Sequence, residues 1–408
     1  MALRLITTAA ATPERRLLIF AALIRLIPAT LIFGTEDVYG WYLCGKIMAS
    51  GGNPYDIPVF MVWPPVWPVL VLFAYLTSDT LGLPFSFTVK LLPIAADIIL
   101  TMVLLSAAPR FGLRRYFTAA VYAFNPVAIY TSAIHGNFDA IPALFCTLAI
   151  ISASRMEADP NGVRAGTWLG IGAAFKTFPL LILPALISAA NPFRRRLTIA
   201  AVAVGIFLAA LLLPWPFIGS AAIAGILRYR GFHGWWGITA IEFLTGHSLP
   251  GITRSLIFYG AMGSAALLLL MKRAPPPLGA LFLLLTLYLA TPGFGLQYLL
   301  WIVPIAIIAD QRRALVYSGL AGLLILFELM ARPYTGYVFE SIRLLPHSDF
   351  ARNYGGPIDH RYTAIGRLIL WLFFGYWWVT TLVALLRGDR GAAKVGYNPP
   401  PRRAGIFL

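Results

Sequence analysis

Apolar runs near the length of a bilayer span recur from Leu17 to Leu386, separated by short polar stretches. About 20 apolar residues are enough for a helix to cross the hydrocarbon. The runs do not alternate apolar and polar positions as the strands of a membrane barrel would. The pattern therefore predicts an all-α, polytopic membrane protein. Leu17–Phe33 reads as an uncleaved first span, since no small-residue cleavage site follows it. Later spans are expected near 85–107, 116–134, 140–153, 197–213, 254–271, 277–291, 297–309, 314–331 and 362–386. Two runs depart from this rhythm. Residues 59–77 are short and hold Pro64, Pro65 and Pro68, with Pro58 just before. A re-entrant or interfacial helix that stays on the outer side fits them better than a crossing. Gly166–Ala190 must begin and end on one side, because Arg164 precedes it and Arg194–Arg196 follow. It is too short for two full spans, so two short helices broken near Phe178-Pro179 are expected.

Charge supplies the orientation. The chain carries 32 Lys and Arg against 16 Asp and Glu, a net charge of +16. The basic residues cluster in short loops (Arg114-Arg115, Arg194–Arg196, Lys272-Arg273, Arg312-Arg313) and in a tail from Arg387 to Arg403. That is the positive-inside pattern of a membrane protein, not a nucleic-acid footprint. It puts both termini in the cytoplasm and gives about a dozen crossings. With 59% hydrophobic and 12% charged residues and a mean hydropathy of +0.77, the chain has about half the charge of a soluble domain. Residues 1–386 read as one membrane domain and 387–408 as a basic, disordered cytoplasmic tail. A bridge between the two cysteines, Cys44 and Cys146, is allowed but nothing requires it, and they make no metal motif.

Scarce polar groups then stand out. Glu36 and Asp37 sit at the outer mouth of the first span, followed by Tyr39, Trp41 and Tyr42 and closed by Asn53-Pro54-Tyr55-Asp56. An acid there is either a solvated loop residue or a catalytic base, and the choice between Glu36 and Asp37 is open. The aromatics are either an interface belt or a sugar-stacking surface. The turn His135-Gly136-Asn137-Phe138-Asp139 either satisfies its own backbone or contacts substrate hydroxyls or phosphate. Arg25, Lys90, Asp97 and Lys176 fall inside apolar runs. Charge at the bilayer centre is expensive, so such residues are paired, solvated or functional. Lys90 and Asp97 are two helical turns apart and share a face. Arg228, Arg230 and His233, beside Trp235 and Trp236, suit phosphate oxygens or the membrane interface. Gln297 and Tyr298 stand at the mouth of a later span.

In order, these motifs resemble the GT-C superfamily of integral-membrane glycosyltransferases, nearest to the bacterial, mannosyltransferase-like enzymes (family 87-like) that use polyprenyl-phosphate sugars. The resemblance rests on Glu36-Asp37 after the first span with Gly52-Asn53-Pro54-Tyr55 downstream, and on Trp63-Pro64-Pro65-Val66. It continues through Lys90-Leu91 to Ala96-Asp97, then Asn125-Pro126 leading to His135–Asp139, Lys176-Thr177-Phe178-Pro179, and Gln297-Tyr298-Leu299-Leu300-Trp301. Trp63 and Asn137 depart from the Tyr and Gln that relatives usually carry. The resemblance implies a GT-C-type bundle of about 12 transmembrane helices with outer-face loops. It implies transfer of a hexose or pentose, such as mannose, from a polyprenyl phosphate to a lipid or glycan acceptor, with inversion, at the outer face of a bacterial inner membrane. Asp37, or Glu36, would be the base. Arg228, Arg230, His233 and Lys176 would hold the donor phosphate. His135, Asn137, Asp139, Gln297, Tyr298 and Lys90 would contact substrate. No metal-ligating residues are assigned; a divalent ion, Mg or Mn, is left open. The partners are the donor, the acceptor and the lipid bilayer, without nucleic acid. A transporter or flippase for a lipid-linked or anionic substrate is the competing class, since it too uses intramembrane charge and broken helices.

Overall fold

The computed structural model describes residues 12–56, 61–155, 157–228, 236–331 and 360–388. They are helical, with no strand among them. The first two helices are α1 (Pro13–Leu31) and α2 (Glu36–Ala49). Then come α3 (Val66–Leu81), α4 (Phe85–Ala107) and α5 (Arg115–Ala123). Next, α6 starts as Pro126–Ile129 and runs on as the π-helical turn Tyr130–His135. It is followed by α7 (Ala140–Ala153), α8 (Val163–Phe175), α9 (Leu183–Ala189) and α10 (Phe193–Leu212). Three short helices follow, α11 (Trp215–Ile218), α12 (Ala221–Arg228) and α13 (Ile238–Thr245). The last five are α14 (Gly251–Lys272), α15 (Pro276–Ala290), α16 (Leu299–Ala309), α17 (Gln311–Ala331) and α18 (His360–Arg387).

Among the described residues four helices are long and apolar enough to cross a bilayer: Phe85–Phe111, Phe193–Leu212, Gly251–Lys272 and Thr363–Arg387. The number rises to six if α1 with α2, bent by 74°, and α5 with α6, bent by 42°, each count as one span. Val66–Leu81, Ala140–Ala153, Phe178–Ala189, Pro276–Ala290 and Leu296–Ala309 are shorter apolar helices of 10–17 residues, and the 314–331 run lies in the 21-residue α17. Large apolar side chains are exposed along α1, α10 and α14, including Phe20, Ile27, Leu197, Leu208, Ile252 and Leu256. Such a surface suits lipid as solvent and would be a liability in water. The chain is thus built as a helical membrane protein.

Both irregular runs form short helices whose ends are set by proline. Pro64, Pro65 and Pro68 leave α3 to begin at Val66, with proline confined to the first turn, where no amide partner is lost. Trp67 at its start stacks on Phe138, centroids 4.3 Å apart. Ala74, midway, accepts a bond from Thr88 near the start of α4. The first half of α3 therefore packs at the end of the bundle that carries the 135–139 turn. Residues 57–60, ahead of it, lie outside the described set. The run after Arg164 folds as α8, a break at Lys176-Thr177, a 3-10 turn Phe178–Ile182 and α9. This is a hairpin whose tip carries Lys176. A second hairpin, α15 and α16, turns through Thr291–Gly295 and the 3-10 turn Leu296–Tyr298. The loop 332–359 and the tail 389–408 are outside the described residues.

One cluster of buried apolar side chains runs from Val38 to Leu385. Trp41 is fully buried in it, edge-on to Trp63, Trp67 and Phe138 at 5.0–6.1 Å. It is a rib of the core, not a sugar-stacking or interface surface, whereas Tyr39 is 54% exposed. Cys44 and Cys146 are both buried and free. The intramembrane charges on the Lys90–Asp97 face are each paired with a neighbouring helix. Arg25 Nε donates to Asp97 Oδ2 at 2.8 Å, with neither side chain exposed. Lys90 donates instead to the Ile32 carbonyl at the end of α1. This makes physical sense: the terminal carbonyls of a helix lack internal partners and attract a cation.

Candidate functional site

Two glycines bring α2 against the 135–139 turn. Gly34 (φ 122°) ends the link from α1, and Gly136 (φ 82°) ends the π turn. A Cβ at Gly136 would stand 2.7 Å from Val38 Cγ2 and 2.9 Å from Lys90 Cε, so only glycine allows both the left-handed backbone and the close approach. The Thr35 amide then donates to the His135 carbonyl at 3.3 Å, and the Thr35 hydroxyl donates to the same oxygen. This bolts the first turn of α2 to the turn.

Asp37 faces inward from that first turn, while Glu36 is exposed. Asp37 Oδ2 accepts from His135 Nε2 and from Asn137 Nδ2, each at 2.9 Å. A carboxylate only accepts, so the bonded His135 nitrogen carries the proton. The other ring nitrogen, Nδ1, lies 3.3 Å from the Tyr130 hydroxyl. Asp37 Oδ1 makes no hydrogen bond among the described residues. Asp37 lies past the end of α1, and its side chain is 18% exposed. Burial pushes its carboxyl up. The hydrogen bond and charge of His135, the Asn137 amide and the charge of Lys176 outweigh that and hold it below the usual carboxylate range.

Two residues on, Asn137 Oδ1 accepts the Asp139 amide, closing the turn. Asp139 has no exposure and holds two partners from the two hairpin tips. Lys176 Nζ donates to Oδ1 at 2.6 Å, and Trp301 Nε1 donates to Oδ2 at 2.9 Å. The Lys176 ammonium also sits 5.0–5.5 Å from the rings of Phe138, Tyr298 and Trp301, within cation–π range. Phe178 and Tyr298 each stack on Trp301, with ring centroids 4.0 and 4.1 Å away. Lys176 is therefore half of a buried, caged ion pair, 7% exposed, and not a bare cation awaiting an anion.

Of the sequence candidates, Asp37, His135, Asn137, Asp139, Lys176 and Tyr298 converge on this one site. Gln297 is buried in the same hairpin tip, 6% exposed. Lys90 lies behind Gly136 and bonds helix α1, with no described contact to a site carboxylate. Arg230 and His233 lie outside the described residues, and so does the side chain of Arg228 at the end of α12. Trp301 and Tyr130 were not singled out by role in the sequence. Trp301 follows Gln297 by four positions, one helical turn, which is the signal that would have found it. Among the described residues no group of three His, Cys, Asp or Glu side chains could hold a metal ion.

Chemically, the site offers a carboxylate with one oxygen anchored and one unbonded, beside a fixed cation. That suits removal of a proton from a hydroxyl and stabilisation of nearby negative charge. Neither models of known protein families nor curated proteins yield a match to the chain.

Proposed function

We propose that the chain is an integral-membrane glycosyltransferase of the GT-C type, moving a sugar from a polyprenyl phosphate to a lipid or glycan acceptor. The observation that carries this reading is the held carboxylate of Asp37, gripped through Oδ2 by His135 and Asn137. In the reaction the acceptor hydroxyl gives its proton to Asp37 Oδ1 as its oxygen bonds to the anomeric carbon. The bond from that carbon to the lipid phosphate breaks, and its electron pair leaves with the phosphate oxygen. A one-step displacement inverts the anomeric centre. Lys176, in its cage, contributes positive charge on the donor side, tempered by Asp139. Arg228, Arg230 and His233 remain the proposed phosphate partners, on their Arg–aromatic composition. His135 and Asn137, proposed as substrate contacts from the sequence, act on Asp37 instead. Asp139 likewise acts on Lys176.

The proposed topology is a bundle of about 12 crossings in a bacterial inner membrane, with both termini cytoplasmic and Asp37 on the periplasmic side. Val66–Leu81 stays on the outer side in this reading, supported by its packing at the end of the bundle that carries Asp37. A single cysteine at Thr77, in a background lacking Cys44 and Cys146, is expected to react with an impermeant maleimide added to the outside of spheroplasts. Labelling only after the inner face is opened would reverse that assignment.

The activity is tested by incubating membranes with a panel of radiolabelled polyprenyl-phosphate sugars and resolving lipid- and glycan-linked products. A product dependent on the protein is expected. Protein-dependent passage of a labelled lipid-linked sugar across the bilayer, with no new glycosidic bond, would give the site to a flippase instead.

A further inference from the structure

The segment that aims His135 at Asp37 is held from behind by a buried cluster that takes no part in the chemistry above. Arg25 on α1, Asp97 on α4, Tyr122 on α5 and Ser132 in the π turn all have no exposure. Asp97 Oδ2 accepts from Arg25 Nε at 2.8 Å and from Ser132 Oγ at 2.6 Å, and Oδ1 accepts from the Tyr122 hydroxyl. Arg25 Nη1 donates to the carbonyls of Ala21 and Ala123 at 3.0 and 2.8 Å. Four elements thus meet on one carboxylate.

Stability alone is a weak reason for such a cluster, because apolar replacement of a buried ion pair is often neutral or better. Its place is more telling. Ser132 is three residues before His135, in the middle of the π turn. A π turn accommodates one extra residue in the helix. Relaxing it to α-helix would rotate His135 by about 100° around the axis. The Nε2 bond to Asp37 could not survive that rotation.

We propose that Asp97 is a positioning residue, which through Ser132 holds the π turn open so that His135 meets Asp37. The function of that contact rests on Asp37 being the base proposed above. The groups that face Asp37 are His135 and Asn137 on the turn and, through its charge, Lys176 on the hairpin tip. Glu36 beside it is exposed. Loss of the His135 bond therefore removes an interaction that keeps Asp37 ionised, and the acid limb of activity moves to higher pH.

The test uses full-length protein, purified in detergent and labelled with 15N-histidine. The chain has five histidines, and His135→Gln identifies the His135 signals. Wild type is expected to show His135 protonated on Nε2 and hydrogen-bonded. In Ser132→Ala and Asp97→Asn those shifts are expected to move toward an averaged, unanchored imidazole. Transfer should fall roughly 10- to 100-fold in kcat, with donor KM unchanged and the acid limb displaced upward. Unaltered His135 signals in both variants, or altered signals with an unmoved acid limb in an active enzyme, would overturn the proposal. A variant that only lowers thermal stability counts against it in the same way. If wild type transfers no sugar, the spectra alone decide whether the cluster positions His135, and the glycosyltransferase reading fails separately.

Discussion

Asp37→Asn is expected to fold as wild type does and to lose 10²–10⁴-fold in transfer, about what a positioned general base contributes. The amide fills the same volume and can still accept from His135 or Asn137 through its oxygen, so the junction between α2 and the turn should hold. What it lacks is basicity at the atom facing the acceptor. Glu36→Gln, altering an exposed side chain, should stay within a few tenths of wild type in stability, as surface changes do, and should keep its activity. The measurement is initial rate of sugar transfer at matched protein levels. Equal losses in the two variants would remove Asp37 from the role. The wild-type acid limb has a direction too. With its carboxyl held below the usual range, Asp37 stays ionised through mildly acidic pH, and activity that depends on its charge should persist there. His135→Ala takes away the hydrogen bond and charge that hold it down, so as the pH is lowered activity should be lost sooner, with the acid limb displaced upward.

The second large effect concerns Lys176. Replacing it with Met leaves the Asp139 carboxylate buried with Trp301 as its remaining side-chain donor. Removing one partner of a buried ion pair typically costs about 3–5 kcal/mol. Lys176→Met should lower the thermal midpoint of the purified protein sharply. Lys176→Met combined with Asp139→Leu removes both charges and should recover most of that loss. If Lys176 also serves the donor, the stable double variant remains inactive. A double variant that is both stable and fully active would limit the pair to architecture. A Lys176→Met protein as stable as wild type would mean the pair is solvated after all.

Much of this arrangement was legible in the chain because polar residues are so rare in it. Proline spacing marked the start of α3, and Arg164 with Arg194–Arg196 forced a hairpin between them. The His135–Asp139 turn stood out as more polar than a connection requires. Partner choice was not legible. Arg25, Lys90 and Asp97 are each conspicuous, and pairing with neighbouring helices was to be expected of them, yet which partner each one takes depends on how α1 and α4 cross. That Asp37 turns inward while Glu36 is exposed depends on the rotation of α2, which the sequence does not carry. Trp41 looked like a candidate surface because adjacent aromatics carry no record of which face is buried. The span count was also ambiguous, since composition alone does not separate an apolar hairpin of short helices from two full crossings.

Those short helices carry a physical consequence for the setting in which the protein works. Ala140–Ala153 has 14 residues and so a length of about 21 Å, against about 30 Å of bilayer hydrocarbon. Val163–Phe175, packed beside it, has 13. Both are mostly buried among other helices, so in a membrane the shortfall falls on the hairpin tips, where Asp139 and Lys176 meet, and a recess open to one face accommodates it. Such a recess brings a charged head group to the site without extracting its chain. If the proposed transfer takes place at this site, its rate is expected to vary with acyl-chain length in the surrounding lipid, thin membranes favouring it and thick ones sealing it.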